Sequence, residues 1–194
     1  PVIGPLTWAL RGSDPVSLHA VLNGTCNVVL AAMDEGADYH EALADAQRAG
    51  YAEADPTLDV EGLDAAHKLT LLTRLAFDPA ARWSAGAAAT QGISSLKADT
   101  LAAARAEGRR VRLVGSVEHV DGVWRASVRP VELPEGHPLL GEGPTNALLF
   151  TGEQSGQVVV RGPGAGGAST ASGVLGALLA ALDGQRGPAP LAEA

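Results

Sequence analysis

Between Gly50 and Lys68, in GYAEADPTLDVEGLDAAHK, five carboxylates (Glu53, Asp55, Asp59, Glu61 and Asp64) and a lysine share one short stretch. Carboxylates at this density suit the anchoring of a substrate amine. A lysine among them suits the delivery of a proton to developing negative charge. Asp64 and Lys68 are four apart, so they share a helical face. Leu72 and Leu75 continue that face, which makes the pair one that points inward. The bland alternative is an exposed i,i+4 ion pair of little energetic weight. A different chemistry is also open to the same residue: Lys68 could attack a carbonyl and form a Schiff base, as a lyase or aldolase would, with no need of a dinucleotide.

These side chains need elements to hold them. Asp55-Pro56 keeps the chain extended or turned, because the residue before proline is pushed out of the α region. From about Val60 the pattern becomes helical, running through Leu69, Leu71, Leu72 and Leu75 to a stop near Phe77-Asp78-Pro79. Upstream, Val16–Leu22 reads as a strand. Asn23-Gly24-Thr25 turns it into a helix from about Cys26 to Glu35, with Thr25 as a possible N-cap and Gly24 permitting a close backbone approach. Asp38 and Glu41 resemble a capping box at the start of a second helix, which Gly50 closes. Ala80–Asp99 lacks a pattern, apart from Trp83 as a packing anchor, and Thr100–Glu107 is a short helix.

After residue 108 the period changes to two. Arg110–His119 and Val123–Val131 flank Asp121-Gly122, a strong hairpin signal, and Pro130 sets its strand at an edge or bulge. Ala147–Thr151 and Gln157–Arg161 form another strand pair. The run Gly162–Gly167, GPGAGG, leads into a helix beginning at Ser169 or Thr170. This is a literal GxGxxG, yet too little sequence follows it to complete a βαβ unit. Its glycines and the helix start can still present N–H groups to a polar ligand. The expected fold class is α+β, a mixed or mostly antiparallel sheet covered on one face by helices. One domain is expected over residues 1–182, with a flexible tail at 183–194.

Composition narrows the partners. A chain of 194 residues with 46% hydrophobic side chains can bury a substantial core. A net charge of −8 argues against nucleic acid and against anionic membrane surfaces. The longest apolar run is too short to span a bilayer. The five histidines are scattered and Cys26 is the one cysteine, so neither a disulfide framework nor a metal-ligand spacing is present. A cytoplasmic setting fits this cysteine usage.

Leu22-Asn23-Gly24-Thr25 with Asn27, Glu41-Ala42-Leu43, Gly50 to Glu53, Asp55-Pro56, Asp59, Gly62, Asp64, Lys68, Gly92-Ile93-Ser94-Ser95-Leu96 and the C-terminal GPGAGG occur in one order. In that order and spacing they resemble the substrate-binding domain of homoserine dehydrogenase over nearly the whole chain. The resemblance implies NAD(P)-dependent interconversion of L-homoserine and L-aspartate 4-semialdehyde, on the route to threonine and methionine. It implies Lys68 as proton donor, and Glu53, Asp59, Asp64, Gly24 and Thr25 as substrate-binding residues. Gly164 and Gly166 would touch a cofactor, NADP or NAD, held mainly by a dinucleotide-binding domain that would precede Pro1. The family's sodium site would lie there too. It further implies a homodimer built through the sheet. A non-catalytic dimerisation module is the third reading.

Overall fold

The computed structural model describes residues 2–76, 89–121 and 123–185. The expected packing of Trp83, the helix stop at Phe77-Asp78-Pro79 and the tail beyond Gln185 lie outside the described residues. The chain opens on a π-type helical turn, Pro5–Ala9. Six strands follow: β1 (Pro15–Val21), β2 (Ala89–Thr90), β3 (Arg109–Val120), β4 (Val123–Pro134), β5 (Thr145–Gly152) and β6 (Gly156–Pro163). The α-helices are α1 (Gly24–Asp34), α2 (Tyr39–Arg48), α3 (Thr57–Val60), α4 (Leu63–Ala76), α5 (Ala98–Ala106) and α6 (Gly167–Leu182). The sheet order is β2-β4-β3-β1-β5-β6, antiparallel except for the short β2–β4 pair. This is the α+β fold with a mostly antiparallel, mixed sheet that the sequence led us to expect.

Strand alternation divides the core. Leu18, Ala20, Val111, Leu113, Val117, Leu148 and Phe150 face the helices and meet Val29, Leu30, Met33, Leu69 and Leu101. Each such fully buried aliphatic side chain contributes about 1.5–3 kcal/mol. Gly115, at the middle of β3, leaves room for Leu69: a Cβ there would lie 3.2 Å from a Leu69 methyl. The opposite face carries a smaller cluster of Val21, Val114, Leu133, Leu139, Ala147 and Leu149. Leu139 comes from the β4–β5 connection, which crosses over that face.

Three local readings are corrected. The N-cap of α1 is Asn23 and not Thr25, because the Asn23 side-chain Oδ1 accepts from Cys26 N while Thr25 is already inside the helix. The helix expected from Val60 is broken at Gly62, whose φ of +80° separates α3 from α4. And α6 starts at Gly167, with Gly166 at φ +109° as its cap. The Ser169 hydroxyl instead donates back to the Ala165 carbonyl. Within the patternless stretch, Ala89–Thr90 forms β2, too short to leave a periodic signal. The hairpin at Asp121, Pro130 on the open side of β4 beyond β2, and the Asp38 cap of α2 all fall where the sequence put them.

Helix α6 stands apart. None of its residues is buried, and Val174, Leu175, Leu178, Leu179 and Leu182 are each more than half exposed. Among the described residues no helix is long and apolar enough to cross a membrane.

On the face away from the helices, His19 sits with Nδ1 3.1 Å from Ser116 Oγ and Nε2 3.5 Å from Glu118. Desolvation lowers its pKa, outweighing the opposite pull of Glu118. His137 is lowered too, by burial first and then by His19 and Arg161. Both rings bind protons more weakly folded than unfolded. Their contribution is therefore intact above the ordinary histidine value of 6.5 and is lost as pH falls below it. Melting temperature should drop between about pH 7 and pH 5, and His19→Gln should flatten that slope. An unchanged slope in the variant would remove His19 from the account.

Candidate active site

The site is assembled where β1 ends. Leu22 and Asn23 leave the strand at its C-terminal end, and Asn23 turns the chain into α1. Its amide is fully used. Oδ1 caps α1 through Cys26 N at 2.8 Å, while Nδ2 donates to Asp59 Oδ1 at 2.7 Å and to Asp64 Oδ2 at 2.9 Å. One neutral side chain thereby bridges two carboxylates that would otherwise repel each other. Hydrogen bonds of this charge-assisted kind contribute about 1.5–3 kcal/mol each.

Lys68 completes the cluster. Its Nζ donates to Asp64 Oδ2 at 2.7 Å and to the Leu22 carbonyl at 3.3 Å. The side chains are 46% and 29% exposed for Lys68 and Asp64, and an i,i+4 pair that open contributes only about 0.3–0.5 kcal/mol. Stability alone gives little reason to build it. Lys68 also lines a cavity of about 290 Å³, whose walls include Leu22, Leu72, Leu75, Asn146 and Gly162–Gly164. Lys68 is therefore not in the closed core: it is half-exposed and lines a concave space close to the size of a small-molecule site.

Thr25 ties in the acidic loop. Its hydroxyl lies 2.8 Å from both Asp59 Oδ2 and the Tyr51 carbonyl, sharing one hydrogen between two acceptors. Asp55 holds the next turn, accepting from Thr57 N and Oγ1, and those bonds lower its pKa. Gly24 has a reason of its own: a Cβ there would lie 3.3 Å from Pro144, so the β4–β5 connection packs directly on the start of α1. Cys26 is buried, its thiol donates to the Asp59 carbonyl at 3.2 Å, and burial, then Asp59, pushes its pKa up. It is held as an inert thiol.

The structure thus brings Thr25, Asp59, Asp64 and Lys68 into one bonded network. Gly164 lines the same cavity as Lys68. Glu53 is exposed on the neighbouring loop, where Gln47 Nε2 donates to its main-chain carbonyl at 2.9 Å. Gly166 is exposed at the head of α6. Two residues were not singled out by sequence reasoning. Asn23 was visible as a turn residue and as part of the Leu22–Thr25 motif, with no site role given to it. Asn146 gave no signal at all, yet it donates to the Leu22 carbonyl at 3.2 Å and lines the cavity. Among the described residues no three His, Cys, Asp or Glu side chains are grouped to hold a metal ion.

A lysine held by an acidic hydrogen-bonded cluster, at a mostly apolar cavity lined also by a glycine loop on an α+β scaffold, is an arrangement typical of a small-molecule site. The family model for homoserine dehydrogenase matches residues 1–179, and the chain belongs to that family. It is 42% identical over 188 residues to the homoserine dehydrogenase of Corynebacterium glutamicum, covering 93% of this chain and 42% of that protein. It is also 42% identical over 177 residues to the NAD(+)-dependent homoserine dehydrogenase of Pseudomonas canavaninivorans, covering 90% of this chain and 50% of that protein. The crystal structure of a homoserine dehydrogenase from Thiobacillus denitrificans superposes with a TM-score of 0.88 at 37% identity, over 92% of this chain and 42% of that one. The chain spans about half the length of these relatives or less.

Proposed function

We propose that this chain is the substrate-binding and catalytic part of an enzyme that interconverts L-homoserine and L-aspartate 4-semialdehyde with NAD or NADP, in the cytoplasmic synthesis of threonine and methionine. One observation carries the reading. The Lys68 ammonium, gripped by Asp64 and the Leu22 carbonyl, lies at a cavity that Gly162–Gly164 also line. A nicotinamide cofactor supplies the hydride. Glu53, Asp59 and Asp64 offer carboxylates to the substrate amine. Lys68 holds a proton where negative charge develops on the aldehyde oxygen, and gives it up.

The chain offers the cofactor an edge and no more. Strand β6 is antiparallel to β5 at the sheet margin, so Gly162–Gly167 does not open a parallel βαβ unit. Gly162 has open space where a side chain would stand, which fits the close approach of a flat ring to this loop. The uncharged surface of α6 is the kind that another part of a longer protein covers. A homodimer through the sheet is part of the same proposal. The Schiff-base reading is disfavoured, because Lys68 Nζ is engaged as a donor to two acceptors.

The full-length enzyme should oxidise homoserine with NAD or NADP, and failure with both would overturn the assignment. The 194-residue chain by itself should give no fluorescence change with micromolar NADPH. Tight binding there would make GPGAGG a cofactor site in its own right.

A further inference from the structure

The Leu22 carbonyl accepts from two donors, Lys68 Nζ at 3.3 Å and Asn146 Nδ2 at 3.2 Å. A carbonyl oxygen can only accept, so the Asn146 amide nitrogen must face it, and Oδ1 must face away. That Oδ1 is buried, and among the described residues nothing donates to it. What covers the amide is Gly164. A Cβ on Gly164 would overlap Asn146 Nδ2 and lie 2.6 Å from Cγ, so the glycine backbone rests directly on the amide plane. The register explains the meeting: Asn146 is paired with Gly162 across β5 and β6, and Val21 with Ala147 across β1 and β5. One side chain therefore touches both the carbonyl that holds Lys68 and the loop that lines the same cavity.

We propose that Asn146 is a positioning residue, fixing the Lys68 ammonium through the Leu22 carbonyl and setting the height of the Gly162–Gly164 loop against it. Leu22 is the last residue before Asn23, and its carbonyl has no side chain to orient it. The Asn146 donor holds that oxygen at 3.2 Å, and Lys68 shares it at 3.3 Å. Gly164 is glycine because the amide occupies the space a side chain would need. The proton-delivering group and the loop are thereby set by one amide. Their separation is the dimension that fixes how a substrate and a flat ring fit between them. The proposal rests on the assignment of Lys68 as proton donor.

The test pairs structure with kinetics, in the full-length enzyme. Asn146→Asp keeps the shape and loses the donor, and Asn146→Ala loses both. Both should lower kcat with homoserine by about 10- to 100-fold, the scale of a misplacement near 1 Å, while KM for homoserine stays within about twofold. Gly164→Ala alone should raise the cofactor KM, and adding Asn146→Ala should restore that KM without restoring kcat, a non-additivity that distant sites do not show. A merely structural asparagine would move stability and leave these ratios alone. Independently of the substrate, a crystal structure of the Asn146→Ala enzyme should show Lys68 Nζ no longer within hydrogen-bond distance of the Leu22 carbonyl. Lys68 unmoved overturns the inference even if homoserine is oxidised normally. Lys68 displaced upholds it even if homoserine proves not to be the substrate, an outcome that would count against the functional reading instead.

Discussion

Lys68→Ala in the full-length enzyme lowers kcat by about 10²–10⁴-fold, the usual range for general acid–base catalysis. The expectation follows from geometry. Reduction of the aldehyde places negative charge on oxygen, and the Lys68 ammonium is held at the cavity by Asp64 and the Leu22 carbonyl. Lys68→Arg separates charge from proton. Arginine keeps the charge but scarcely releases a proton, so KM should hold while turnover is lost. The carboxylates should divide. Asp64 bonds Lys68 directly and also offers its carboxylate to the substrate amine, so Asp64→Asn should lower kcat and raise KM. Glu53 is exposed and outside that bonded network, so Glu53→Gln should act mainly on KM. Steady-state kinetics in both directions checks all four variants. If Lys68→Ala retains more than about a tenth of kcat, a loss below the usual range, Lys68 is not the proton donor.

Gly92→Ala should cost about 3 kcal/mol, at the upper end of overpacking effects, and lower the melting temperature by roughly 6–12 °C. Gly92 sits where the chain after β2 passes under the α3–α4 turn. A Cβ there would overlap the Val60 carbonyl and lie 2.5 Å from Glu61 Cα. Those are backbone atoms, which cannot rotate aside. The neighbours fix the approach: Gln91 N donates to Val128 O at 2.8 Å, and Ile93 N to Val60 O at 2.7 Å with the Ile93 side chain fully buried. Because α3 carries Asp59, the displacement should also reduce turnover. Gly115→Ala is the control, since its new methyl would meet the side-chain end of Leu69, which can give. Thermal denaturation compares them. A Gly92→Ala protein melting within about 2 °C of wild type would mean the close approach does not exist, because 3 kcal/mol cannot hide in so small a shift.

Much of this architecture is legible from neighbouring residues. The β3–β4 hairpin follows from alternation around Asp121-Gly122, and the α2 cap from Asp38, whose carboxylate does accept from Glu41 N at 3.0 Å. Both depend on atoms a few positions apart. The Asp64–Lys68 pair has the same origin and forms at 2.7 Å. Its setting did not follow: periodicity gave an inward face, while the structure leaves Lys68 half-exposed at a cavity. A helix stripe records which side meets protein, not whether that protein is closed against it. The break at Gly62 escaped notice because glycine inside a helical pattern is ambiguous until a neighbour demands positive φ. Here a Gly62 side chain would press on Thr90 and Val128, which belong to β2 and β4.

The sequence by itself determined the fold class, most of the strand and helix succession apart from β2 and the α3–α4 break, and the residue types and spacing that mark the acidic segment and the GPGAGG turn. These are properties of short-range stereochemistry and hydrophobic period, and they survive without knowing what packs on what. Only the tertiary structure decided that Asn23 bridges Asp59 to Asp64, that Pro144 rests on Gly24, and that Asn146 joins Lys68 to Gly164. Each of those contacts spans between 36 and 124 residues in sequence where a hydrogen bond records it. The last of them exists because the β1–β5 and β5–β6 registers pair Val21 with Ala147 and Asn146 with Gly162, which brings Asn146 beside the end of β1. A one-residue slip in either pairing would turn Asn146 to the opposite face of the sheet, and no local pattern in the chain records which register wins.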